Sequence, residues 1–171
     1  VKPSLFHRMD LWTRHLLPFG VTLILLMLGL VPTRVPGYAM IAPVLPLMGV
    51  YYWSIYRPDL LPPSAAFGLG LLHDIIAGLP LGVSALVMLV VQGVTASQRR
   101  FFLGNTFAVA WWGFALMSLG AMAVTWLLVC MLFAHLIPPK TVMFEYLITI
   151  SAYPVVSWLL ARTQVVFLRQ P

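Results

Sequence analysis

"GLGLLHDIIAGLPLG", Gly68 to Gly82, sets His73 and Asp74 side by side in an apolar run and closes on a tight Gly-Leu-Pro-Leu-Gly turn. The flanking residues predict two short helices, Ser64 to Gly78 and Leu81 to Ser97. A connection as brief as Leu79-Pro80 permits only an antiparallel helical hairpin. The first helix has fifteen residues, about 22 Å of rise against the ~30 Å hydrocarbon core of a bilayer. A carboxylate in such a hairpin needs a reason: an ion or proton site, a catalytic group, or a pin between helices.

The rest of the chain gives the setting. Of its 171 residues, 61% are hydrophobic and 8% charged, where soluble domains carry about 25% charged residues. With a mean hydropathy of +0.98, the chain reads as one integral membrane domain, residues 1–171. A basic lead, "VKPSLFHRMDLWTRH", precedes a first span at about 16–31, with Pro18 near its N-terminus, where a missing N–H costs least. No cleavable signal peptide is expected from this lead. The second span, about 38–56, holds Pro43 and Pro46, which should kink it, and an aromatic belt of Tyr51, Tyr52, Trp53 and Tyr56 at its end. After the hairpin and "SQRRFF", the apolar stretch 101–137 reads preferentially as one long span at about 107–136, anchored by Trp111-Trp112, with two spans joined by a minimal turn as the alternative. The last span runs at about 142–161. Cys130 stands alone, so no intramolecular disulfide forms.

Six spans place both termini on one side. Lys2, Arg8, Arg14, Arg57, Arg99, Arg100, Arg162 and Arg169 then share one face, and Arg34 and Lys140 the other. Basic residues collect on the cytoplasmic side, so both termini are expected in the cytoplasm. The net charge of +6 is thus topological and lipid-directed, with no nucleic-acid partner implied. The short loops leave no room for a soluble domain.

Four acids are available in all, and Asp74 is the most informative. On a helix it shares a face with Gly70, Ala77 and Gly78, small residues that let a neighbour approach and donate hydrogen bonds. The preferred reading is a pin that orders the turn by accepting N–H groups from the start of the next helix; an ion or proton site is the rival. His73 points about 100° away around the helix and reads as a packed residue. Glu145, in the first turn of the last span, is placed to meet the helix dipole. A sharper reading has Asp74, His135 and Glu145 lining one outward polar pocket. Arg57 and Asp59 read as a local ion pair with interest as an interaction surface. Arg99 and Arg100 read first as a topological anchor, with a cytoplasmic contact surface shared with Arg57 and Asp59 as the rival. Gly68/Gly70 and Gly113/Gly120 are candidate docking faces for a partner helix. No Cys/His cluster has metal spacing, no phosphate-cradling glycine loop occurs and no nucleophile elbow is present. No metal, cofactor or catalytic residue is assigned, and an enzyme is the least favoured class.

"GLLHDIIAGLPLGVSAL" (Gly70–Leu86) resembles the signature hairpin of the MreD family, bacterial rod-shape-determining membrane proteins. Its pattern, roughly G-L-x-x-D-x-x-x-G-x-P-L-G-x-x-A-L, is filled here by Gly70, Leu71, Asp74, Gly78, Pro80, Leu81, Gly82, Ala85 and Leu86. "YRPDLLPP" before it and "SQRRFFLGNTFAVAWWGF" after it resemble a Gram-negative branch of the same family. The resemblance implies a non-enzymatic scaffold of the elongation (Rod) complex in the inner membrane. Its implied partner is MreC, a single-span protein with a periplasmic coiled coil. Through MreC it would reach MreB filaments and the peptidoglycan polymerase/transpeptidase pair, RodA and its class B penicillin-binding protein. The resemblance also implies a six-helix all-α fold similar to the substrate-binding subunits of energy-coupling-factor transporters. That likeness motivates the alternative, a small-molecule-binding or transporter subunit with a periplasm-facing pocket.

Overall fold

A computed structural model describes the backbone of residues 5–31 and 42–168 and the side chains of residues 16–31 and 42–167. Lys2, Arg34, Arg169, the side chains of Arg8 and Arg14, and residues 38–41 of the expected second span lie outside the described residues. Within them the chain is all-helical and strand-free: α1 (Leu5–Gly29), α2 (Leu45–Tyr56), α3 (Pro63–Ala77), α4 (Val83–Ser97), α5 (Arg99–Leu103), α6 (Phe107–Phe133) and α7 (Pro139–Leu168).

The apolar run after Gly104 forms one unbroken helix, α6, the preferred of the two readings its composition allows. Four details differ from expectation. Helix α1 begins at Leu5, so Pro18 lies in its interior, and Thr22 donates its hydroxyl to the Pro18 carbonyl at 2.7 Å. Helix α2 begins at Leu45, so Pro43 precedes it and Pro46 occupies its first turn, where no intrahelical donor is lost. "RRFFL" is a short helix of its own, α5. Helix α7 runs from Pro139 to Leu168, about one turn longer at its start and two turns longer at its end than 142–161.

Helix α2 is the shaft of the bundle, with every residue from Pro46 to Ile55 buried. It packs against α1, α4, α5 and α7 and touches α6. Tyr51, Tyr52 and Trp53 are therefore core residues and not a lipid-facing belt; only Tyr56 is partly exposed. Tyr51 meets Phe114 and Tyr153 edge-on at centroid distances of 5.3 and 5.8 Å and donates its hydroxyl to the Ala110 carbonyl at 2.9 Å. A phenol buried this deeply needs such an acceptor. Phe114 and Tyr153 stack at 4.3 Å, joining α6 to α7 behind it.

Two hydrogen bonds fix how α2 lies along α7. The Val44 N–H donates to Thr149 Oγ1 at 3.2 Å, and Tyr52 Oη lies 3.0 Å from Gln164 Oε1. The start of α2 thus meets the first half of α7, and its end meets the last turns. One end of the bundle carries the α3–α4 turn, the α6–α7 loop and Lys140; it is called the hairpin end below. The opposite end carries Arg57, Arg99, Arg100 and Arg162, the last lying over the Trp158 ring at 5.1 Å; it is the arginine end.

The bundle's exterior is apolar. On α6, Trp112, Leu116, Leu119, Leu127 and Met131 are exposed, as are Met143, Leu147, Val155 and Leu159 on α7. Helix α6 and Pro139–Phe167 of α7 are each long and apolar enough to cross a bilayer. Leu16–Gly29, α3 and α4 are apolar but shorter.

Candidate functional site

The α3–α4 hairpin is built around one carboxylate. Asp74 is fully buried. Its Oδ2 accepts the Gly82 N–H at 2.9 Å, and its Oδ1 and Oδ2 accept the Ser84 N–H at 3.0 and 3.2 Å. These are donors that the start of a helix leaves without partners, and the charge sits at the favourable end of the α4 dipole. Gly82 itself offers α4 no side-chain cap, so Asp74 supplies it from the preceding helix. The Asp74 backbone carbonyl works in the opposite direction. It accepts the Leu79 N–H at 2.9 Å, the six-residue closure of a Schellman helix ending. One residue therefore closes α3 and opens α4.

The residues around it meet the geometric demands of that turn. Gly78 has φ 68° and Gly82 φ 101°, left-handed values that strain any residue with a Cβ. Gly70 lies where α3 crosses α4: a Cβ there would stand 2.6 Å from the Ala85 nitrogen and 2.7 Å from the Ser84 carbonyl. Ala85, fully buried, is the small partner that keeps the helices this close. The Pro80 carbonyl accepts the Val83 N–H at 3.3 Å. Leu81, at the tip, is 70% exposed and contributes little to the packing.

The glycines expected to face a partner divide into two kinds. Gly70 is consumed by α4, and Gly113 lies under Phe102 and 2.7 Å, measured from its would-be Cβ, from the Tyr51 hydroxyl. Gly68 and Gly120 have open space above them. Close internal packing, not exposure, explains the first pair.

The expected pocket of Asp74, His135 and Glu145 does not assemble. Asp74 turns inward to the α4 N-terminus, and His135 is exposed on the α6–α7 loop. Glu145 instead shares a groove of about 240 Å³ with His73, Ser84, Thr125 and Trp126, walled by Leu47, Met88, Met122 and Val129. Because α7 begins at Pro139, Glu145 lies in its second turn and not its first, further from the free N–H groups of the helix start. His73 joins the hairpin through Ser84, its Nδ1 lying 3.0 Å from Ser84 Oγ. Asp74 and His73 thus hold the backbone and the side chain of the same serine. Helical periodicity alone does not single out Ser84; a serine ten residues beyond an intrahelical aspartate, across a glycine turn, is the available signal.

Arg57 is partly buried and Asp59 exposed in the turn between α2 and α3. Arg99 and Arg100 open α5, whose Phe102 is buried against Tyr51 at a centroid distance of 6.0 Å. The two arginines are thereby fixed at the bundle's edge.

The profile of the family described as rod shape-determining protein MreD matches residues 9–163 of the chain. The chain belongs to the MreD family. No curated protein and no solved structure matches it. The match embraces every element of the hairpin, so the Asp74 cap, the two left-handed glycines and the Gly70–Ala85 crossing give this MreD-family chain a physical account of the motif. Membership and the apolar helices together make it a membrane protein of a shape-determining family.

Proposed function

We propose that this protein is a non-enzymatic scaffold of the bacterial elongation complex, seated in the inner membrane with six crossings and both termini cytoplasmic. It binds the membrane span of MreC. Through MreC it helps join MreB filaments to RodA and its class B penicillin-binding protein. Family membership carries this reading. The structure adds support by showing how the hairpin carboxylate is used: both oxygens of Asp74 accept backbone N–H groups of its own chain. The gathering of Arg57, Arg99, Arg100 and Arg162 at one end favours that end as cytoplasmic. Helix pairing in lipid draws on close van der Waals approach, which the open faces of Gly68 and Gly120 offer. The test is co-purification in mild detergent with an epitope-tagged MreC from the same bacterium. Recovery of MreC at near-equal molar ratio is expected; recovery of none would remove the scaffold reading.

One observation favours the second reading, a small-molecule-binding or transporter subunit similar in fold to energy-coupling-factor substrate-binding subunits. The groove lined by His73 and Glu145 is roomy enough for a small molecule, although its walls are mostly apolar. A stoichiometric organic compound released on denaturing the purified protein, and lost in Glu145→Ala, would establish it.

A further inference from the structure

The lipid-facing surface of this bundle has two heights. Helices α6 and α7 have 27 and 30 residues, about 40 and 45 Å of rise. Helices α3 and α4 have 15 residues each, about 22 Å. Helix α4 packs on α2 and α6 along its inner side, but the long pair does not cover the outer faces of the short one. Helix α3 packs on α4 and more lightly on α1, and Phe67, Ile75 and Ile76 on α3 and Leu86, Val90 and Val94 on α4 are exposed. Both ends of the pair are fixed. At one end the chain must reverse at Gly78–Gly82 under the Asp74 cap. At the other, Ser97 leads directly into Arg99 and Arg100, and Phe102 of α5 is buried beneath Gly113, the seventh residue of α6. The arginines at the foot of α4 are therefore drawn up alongside the first turns of α6.

We infer that the α3–α4 face thins the bilayer beside it, gathering lipids of shorter hydrocarbon length, while the α6–α7 face accepts a bilayer of ordinary or greater thickness. A ~30 Å core exceeds the hairpin by about 8 Å. The mismatch is relieved by thinning the lipid rather than by tilting, because tilt lowers an already short helix further. Arg99 and Arg100 hold the lipid phosphates at the lowered level, and Leu81 at the tip meets the opposite headgroup layer. The inference rests on the reading that α3 and α4 cross the membrane.

The experiment places one fluorophore on each face. In a Cys130→Ser background, Val90→Cys labels α4 and Leu116→Cys labels α6, and each protein is reconstituted in an equal mixture of di-14:1 and di-22:1 phosphatidylcholine. One lipid at a time carries brominated chains as quencher. At position 90, quenching is expected to favour the 14-carbon lipid over the 22-carbon lipid by about two- to fivefold more than at position 116, given mismatch costs of a fraction of a kcal/mol per Å. Equal preference at the two positions overturns the thinning and leaves the membrane crossing standing. A label at 90 that neither lipid quenches overturns both, since the face is then covered by protein. Val94→Cys with Leu127→Cys repeats the comparison where a first-choice label disturbs folding.

Discussion

At the residue scale, the hairpin depends on Asp74 more through geometry than through charge. Asp74→Ala leaves the buried Ser84 N–H and the half-buried Gly82 N–H without acceptors, a loss of about 2–3 kcal/mol from the missing cap and unmet donors. Asp74→Asn retains one acceptor oxygen and is expected to lose about half of that. Thermal unfolding in detergent should therefore rank wild type above Asn and Asn above Ala; an Asn variant as unstable as Ala would contradict the cap. Gly70→Leu should be worse than either, because its side chain must displace α4 backbone at Ala85 and Ser84. Ser84→Ala removes only the His73 contact and keeps the cap, so a loss under about 1 kcal/mol is expected. A loss equal to that of Asp74→Ala would show that the serine hydroxyl, and not its N–H, holds the turn.

At the element scale, the hairpin was legible because the signals that end helices are local. Expected at 64–78 and 81–97, its helices form over Pro63–Ala77 and Val83–Ser97. The spacing of Gly78, Pro80 and Gly82 determined where one stops and the next begins. Helix α6 was legible as apolar helix but not as a single one: the run 101–137 is long enough for two spans, and only the absence of a turn signal between Phe107 and Phe133 favours one. Burial was less legible. Tyr51, Tyr52 and Trp53 look like an interfacial belt in one dimension and become the core only because four other helices surround α2. The site was half legible: a wheel placed Asp74 among small residues, but His73 and Asp74 converge on Ser84 through a turn, which no single-helix projection represents. The same turn accounts for Gly82. Gly82→Ala forces a Cβ onto φ 101° and should cost about 1–2 kcal/mol, read as lower steady-state protein and a lower unfolding temperature. A neutral result would mean that the turn relaxes to a different path.

At the scale of the whole molecule, the polar groups of the hairpin face inward and the exterior offers mainly apolar helix faces and one arginine-rich end. Such a surface fits lipid and partner helices better than soluble substrates, in keeping with a shape-determining family. If the arginine end is cytoplasmic, single cysteines at Ser97 and Lys140 in the Cys130→Ser background should label from opposite sides. A membrane-impermeant maleimide is expected to reach position 140 in intact cells stripped of their outer membrane, and position 97 only after lysis; the reverse pattern would invert the topology. In the scaffold proposed above, Asp74 serves the fold and not an ion, a proton or a reaction. The most direct measurement is rod-shape complementation by Asp74→Asn in cells lacking the native protein, with membrane levels matched by immunoblot. Rods of normal width, with MreC still co-purifying, are the expected result. Round cells at wild-type protein level would contradict it, because a folded scaffold would then have failed for want of one negative charge.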